Sequence, residues 1–289
     1  MSAVNFDSLG TLLLPAVLEA GRLEMRHFAA GVTIEKKADK SPVTVADREA
    51  EDIILAALAR VVPDVPVVAE EAMAAGRIPA PADRYLLVDA LDGTQLFIRG
   101  KPEFSINIAL IDQEKPVFGL IYLPATGKLY VTRQDGYAYG ATVSPDHDDA
   151  KLAAVMFTRL ATRDPVAGEL VAFNSRSTGG ASADFLAKLN VKEARPLGSS
   201  MKFCLIAAGE GDLYARFGRT YEWDTAAGQA ILEAAGGCVT TMDGQPLSYG
   251  RSGENYLNPH FIAWGRRPLA AQFFATSALE TAAPREMGS

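Results

Sequence analysis

Thiols and imidazoles are scarce in this chain. Among 289 residues there are two cysteines, Cys204 and Cys238, and three histidines, His27, His147 and His260. They form no C-x-x-C pair and no H-E-x-x-H, which argues against a thiolate zinc site, a disulfide framework and a zincin-type centre. Any metal chemistry would have to rest on oxygen ligands. Other signatures are missing too. There is no G-x-x-x-x-G-K-[ST], no G-x-S-x-G, and no G-x-G-x-x-G behind a strand.

Positive charge is also in deficit. Lys+Arg number 28 against 35 for Asp+Glu, a net charge of −7. A nucleic-acid polymer is therefore not the expected partner, and anion handling would need a localised cationic element. No apolar run reaches the roughly 18 residues of a membrane span. No basic residue precedes Arg22, and the run Leu12-Leu13-Leu14 is broken at Pro15, so the start does not read as a secretory signal. The expected location is cytoplasmic, with peripheral association at the inner membrane left open.

What is present is ordinary globular composition, 48% hydrophobic and 22% charged. Helical spacing of Leu9, Leu13, Ala16, Ala20 and Leu23 predicts a first helix, with Pro15 bending it or marking its first turn. Residues 36–41 read as a loop; Thr44 then caps a second helix with Ala46, Ala50, Ile53, Ala57 and Val61 on one face. Strands are expected at 65–69, 85–88, 106–111, 117–123 and 129–132, the last three as a meander. A lobe boundary is expected near 150, giving lobes 1–150 and 151–289 that work as one catalytic unit. Beyond it, strands (170–173, 213–217, 239–242, 261–264) alternate with helices (182–189, 201–208, 225–235, 268–279), an α/β pattern.

The chemistry-bearing residues are acids at element ends. Asp89-Ala90-Leu91-Asp92-Gly93-Thr94 follows an apolar strand directly. Two carboxylates with a carbonyl between them can converge on a hard cation such as Mg²⁺. Gly93 allows a ligand close to the backbone, and a helix opening at Thr94 would offer N–H groups to phosphate. Glu70-Glu71 ends the preceding strand, Asp224 sits in Trp223-Asp224-Thr225-Ala226-Ala227-Gly228, and Asp47 lies in the first turn of the second helix. Each has a plain structural alternative: an Asp-Gly turn, a solvated strand end, a helix N-cap and a helix-dipole acid.

Taken together, Glu70-Glu71, the 89–94 hexapeptide and the 223–228 motif, in this order along the chain, resemble the inositol monophosphatase-like family of metal-dependent, lithium-sensitive phosphatases, over nearly the whole chain. Alanine stands at Ala90 where the family usually has proline. Within the family the likeness is nearest to the bacterial bisphosphate nucleotidase branch. It is carried by Ser41-Pro42-Val43-Thr44-Val45-Ala46-Asp47, the 103–111 stretch, Asn174-Ser175-Arg176-Ser177, the 198–204 stretch beginning Gly198-Ser199-Ser200, and Leu257-Asn258-Pro259. Gln95-Leu96 departs from the Lys-Glu pair more usual there.

The resemblance implies an α/β (α+β) fold, a layered α-β-α-β-α sandwich of the inositol monophosphatase and fructose-1,6-bisphosphatase type, with its metal site between two lobes. It implies two Mg²⁺, with a weaker third helped by Glu70. Glu70, Asp89 and the Leu91 carbonyl would hold one ion. Asp89, Asp92 and Asp224 would hold the other. Asp47 and Thr94, with Glu70, would serve catalysis by orienting water. Glu70, Leu91, Asp92, Gly93, Thr94, Asp224 and Ser199 would line the substrate, with Lys202 and Arg176 meeting a second phosphate. The implied reaction is hydrolysis of 3'-phosphoadenosine 5'-phosphate to AMP, and sulfur assimilation is the suggested setting. Inositol monophosphate, histidinol phosphate and fructose 1,6-bisphosphate stay open as substrates, as does an inactive metal- or nucleotide-binding relative. Monomer and homodimer are equally compatible with the sequence.

Overall fold

The structure, a computed structural model, describes residues 4–31, 33–37, 42–176, 180–267 and 269–274. Helix α1 (Phe6–Ala30) is capped by the Asn5 side chain, which accepts from the Ser8 N–H at 2.9 Å. It starts well before Pro15 and runs through it, so the proline is neither its first turn nor its end. The polar stretch expected as a loop is flanked by a small antiparallel hairpin, β1 (Ile34–Lys36) and β2 (Pro42–Thr44), with Ser41 outside the described residues. Helix α2 (Val45–Val61) follows, and its buried stripe includes Ala46, Ala50, Ile54, Ala57 and Leu58. The expected Ile53 and Val61 are only partly buried, because the stripe turns toward both α1 and the sheet beneath.

The order continues with β3 (Val67–Ala69), α3 (Glu70–Ala74), β4 (Arg84–Asp92), α4 (Thr94–Ile98), β5 (Ser105–Asp112), β6 (Lys115–Leu123), β7 (Lys128–Thr132), β8 (Ala138–Thr142) and β9 (Thr158–Arg159). These strands make one seven-stranded sheet in chain order, antiparallel except for the β3–β4 pair. Glu70 and Glu71 therefore open a helix rather than end a strand. The two-residue period of the strands divides the sheet between two cores. Leu86 and Val88 face the core under α1 and α2, whereas Tyr85 and Leu87 face the core under the later helices.

The second half contributes β10 (Val171–Ser175), α5 (Gly180–Lys188), β11 (Glu193–Leu197), α6 (Met201–Ala207), β12 (Leu213–Arg216), α7 (Glu222–Ala234), β13 (Cys238–Thr241) and β14 (Phe261–Trp264). Its five-stranded sheet has the order β11-β10-β12-β14-β13. Helices α6 and α7 lie between the two sheets, sharing one core with Tyr85, Ile121, Phe173 and Phe261. Gly119 of β6 sets this contact: a Cβ there would stand 2.4 Å from the Ala227 carbonyl oxygen of α7. A third core, with Phe185, Trp264 and partly buried Phe273 and Phe274, closes the outer face under α5 and the helical residues 269–274. The expected closing helix beyond 274 and Pro268 itself lie outside the described residues. The layers run α-β-α-β-α, as the resemblance implied. No described helix is long and apolar enough to cross a membrane.

Candidate active site

Strand β4 delivers the first acids. Its pairing with β5 slips between Asp89 and Asp92, leaving Ala90 and Leu91 out of the ladder. Asp89 bridges the slip by accepting the Leu91 N–H at 3.0 Å. Gly93 then turns the chain with φ of 101°, and a Cβ there would come within 2.8 Å of the Glu103 carbonyl oxygen. Only glycine satisfies both demands. Thr94 opens α4.

Helix α2 presents two acids on one side. Asp47 Oδ2 accepts both the N–H and the hydroxyl of Thr44, at 2.8 and 2.6 Å, while Oδ1 accepts the Thr94 hydroxyl at 2.8 Å. One turn on, buried Glu51 accepts the N–H groups of Glu71 and Ala72 at 2.7 and 2.8 Å. It thereby caps α3, whose first residue is Glu70. Asp224 lies inside the first turn of α7, not at its N-cap as the sequence suggested; its Oδ2 accepts the Tyr221 N–H at 2.8 Å.

Glu70, Asp89 and Asp224 converge, each offering an oxygen within 4.8 Å of the others. Burial, then the neighbouring carboxylates, push the Asp89 and Asp224 carboxyls well above their ordinary range. Glu70 is raised as well, chiefly by burial, although Lys37 pulls it back down. The Lys37 ammonium contacts both Glu70 and Glu71 at 2.5 Å. Burial opposes its charge, yet the two carboxylates keep its pKa above normal. An all-oxygen triad of mutually repelling acids, with Asp89 buried and Glu70 and Asp224 partly so, fits a hard divalent cation. Asp92 stands beside the triad: its Oδ2 accepts the Ser200 N–H at 2.5 Å, so a metal contact would fall to Oδ1.

The triad opens into a cavity of about 650 Å³, also lined by Leu91, Gly93, Thr94, Ser199, Lys202 and Arg216. Basic side chains also line it. Lys202 is buried, not solvated; its Nζ donates to the carbonyls of Leu197 and Ser199, and lies 4.9 Å from the Tyr214 ring centroid. Burial lowers its pKa to about 8. Arg216 donates to the Arg219 carbonyl at 3.0 Å, and its buried Nε has no hydrogen-bond partner among the described residues. Arg176 also lines the cavity, but its guanidinium is committed to both oxygens of Glu103, at 2.9 and 2.5 Å. Its neighbour Ser177 lies outside the described residues. Trp223 is buried in the core. Sequence reasoning did not single out Lys37, Ser200 or Arg216. For Arg216 a signal existed: it follows Tyr214 by one strand period at the end of β12.

Comparison with known proteins bears on the family and the fold. Residues 7–275 match the family model described as inositol monophosphatase family. The chain is 40% identical over 230 residues to the 3'(2'),5'-bisphosphate nucleotidase CysQ of Salmonella typhimurium, covering 78% of this chain and 86% of that one. For the protein of the same name from Escherichia coli K12 the identity is 39% over 228 residues, covering 79% and 87%. Among solved structures, CysQ from Bacteroides thetaiotaomicron superposes with a TM-score of 0.74 at 34% identity, covering 91% of this chain and 98% of that one. An IMPase from Thermotoga maritima gives 0.71 at 24% identity over 92% and 96%, a likeness of fold.

Proposed function

The chain belongs to the inositol monophosphatase family, and from its site we propose a Mg²⁺-dependent phosphomonoesterase that hydrolyses 3'-phosphoadenosine 5'-phosphate to AMP and phosphate. The observation that carries this reading is a single cavity lined both by the carboxylate triad and by Lys202 and Arg216. A bisphosphate has one phosphate for the acids' cations and one for these two basic side chains. The names of the bacterial relatives point the same way.

Glu70, Asp89 and the Leu91 carbonyl would hold one Mg²⁺, and Asp89, Asp92 and Asp224 a second, with Asp89 shared. Bound there, Mg²⁺ would neutralise phosphoryl charge and acidify a water. The chain supplies the rest. The Thr94 hydroxyl donates to Asp47, leaving its oxygen lone pairs to face the attacking water; as the water's proton moved to Thr94, the Thr94 proton would move to Asp47. The backbone N–H groups of Gly93 and Thr94 would receive the phosphoryl oxygens. Lys202 and Arg216 would seat the second phosphate, with Ser199 beside them. Free, buried Cys204 and Cys238 suit a cytoplasmic setting.

Steady-state assays with Mg²⁺ test the reading against 3'-phosphoadenosine 5'-phosphate and inositol 1-phosphate. The nucleotide should be preferred; preference for the inositol ester would overturn the substrate assignment. Monophosphate substrates would leave Lys202 and Arg216 without an anion. Li⁺, a small hard cation competing for oxygen ligands, should inhibit at millimolar concentration.

A further inference from the structure

The geometry points to Glu222 as a positioning residue that holds α7 at the separation from β4 at which Asp224 and Asp89 meet. It rests on reading the acidic triad as a metal site.

Glu222 is the first residue of α7 and is fully buried; it belongs neither to the triad nor to the cavity lining, and only its backbone carbonyl meets a lining residue, accepting the Thr225 hydroxyl at 3.2 Å. A buried carboxylate is costly unless hydrogen-bonded, and here every donor comes from elsewhere in the chain. The Tyr85 hydroxyl donates to Oε2 at 3.2 Å. The Gly250 N–H reaches both oxygens, at 2.9 and 3.0 Å. The Arg251 N–H donates to Oε1 at 2.8 Å, and the Arg251 guanidinium stands 3.8 Å away. The Glu222 N–H is itself fixed on the Tyr256 carbonyl at 2.8 Å.

Tyr85 is the link to the chemistry. Along β4 alternate residues share a face, so Tyr85, Leu87 and Asp89 point the same way, toward α7. The first turn of α7 thus meets one face of β4 twice. Glu222 meets Tyr85, and Asp224 meets Asp89 in the triad. The repelling acids of the triad push these elements apart, while the hydrogen bond from the Tyr85 hydroxyl to Glu222 keeps them together. An amide is a poorer fit than the acid. With its oxygen at the Oε1 position it would place the NH₂ at the Oε2 position, against the Gly250 N–H at 3.0 Å, and would reverse the Tyr85 hydrogen bond.

The experiment is a Mn²⁺ titration followed by the EPR signal of the free ion, which needs no turnover, alongside the Mg²⁺ dependence of kcat and the thermal midpoint. Partners that orient metal ligands from behind typically change metal affinity about 10–100-fold when altered. Glu222→Gln should weaken Mn²⁺ binding within that range, and Tyr85→Phe should weaken it toward the lower end. Phe185→Leu, in the remote core under α5, should lower the midpoint and leave Mn²⁺ affinity unchanged. If Glu222→Gln does not fold, Tyr85→Phe decides. Wild-type affinity in the variants with only a lowered midpoint would overturn the inference, as would an equal loss of affinity in Phe185→Leu. Failure of the wild-type protein to bind Mn²⁺ at all would instead overturn the metal reading, and this inference with it.

Discussion

Ser200 and Asp92 are joined twice across a separation of 108 residues: the Ser200 N–H reaches Asp92 Oδ2 at 2.5 Å and its hydroxyl the same oxygen at 3.0 Å. That hydroxyl also lies 2.7 Å from the Asp224 carbonyl, and accepts from Asn107 Nδ2 at 2.9 Å. Ser200 therefore ties the metal loop of β4 to the start of α7. Ser200→Ala keeps the backbone bond and removes the hydroxyl. The expected result is a fall of about 10–100-fold in kcat/KM with a stability loss of about 1–2 kcal/mol. Kinetics and chemical denaturation of the variant check both.

The triad is a source of instability when no cation is bound. Asp89 has a pKa raised well above 3.8 by burial and its neighbours. A raised carboxyl disfavours the folded state as pH climbs above the unfolded pKa, and the penalty stops growing above the folded pKa. Metal-free protein should therefore gain stability as pH falls from neutrality toward about 5. Asp89→Asn should abolish turnover while the protein stays folded. In EDTA at neutral pH its midpoint should exceed wild type by about 2–4 °C for each kcal/mol relieved. Calorimetry with and without Mg²⁺ reads this directly; retained activity would refute the metal assignment.

Thr94 should matter for rate rather than for binding. Thr94→Val keeps the shape and removes the hydroxyl that donates to Asp47. A fall of about 10²–10⁴-fold in kcat is expected, with little change in KM. Thr94→Ser should restore most of it. A change confined to KM would remove Thr94 from the proton path.

Lys202 gives the site a pH signature. Its pKa, lowered to about 8 by burial, means the side chain is cationic below that pH and loses charge above it. Selectivity for a bisphosphate over a monophosphate should decline as pH rises through about 8. Lys202→Met should lower bisphosphate selectivity and flatten that pH dependence. The ratio of kcat/KM values for the two substrate types, measured across pH 6–9.5, checks it (a window of about two units on either side).

The layered fold was legible because strands 106–111, 117–123 and 129–132 and the later helices carry strong periodicity. β8 and β9 were not expected: one is a short segment with Gly140 at its centre, the other only two residues. At α7 the true start falls at Glu222, because Asp224 caps from the inside, accepting the Tyr221 N–H. The acids of the site stood out by their position at element ends. Ser200, Arg216 and Glu222 did not, since their significance comes from partners far away in sequence: Asp92 for Ser200, Tyr85 for Glu222. No local pattern encodes such contacts.

Helix α2 carries Asp47 and Glu51 one turn apart, the first on Thr94 and the second capping the helix that bears Glu70. On the proposed reaction, the arm that would steer a proton and the arm that would present a ligand are thus bolted to one rigid rod. A substitution that tilts or slides that rod must disturb both at once. Tuning either function alone requires changes in α3 or α4, outside the helix they share.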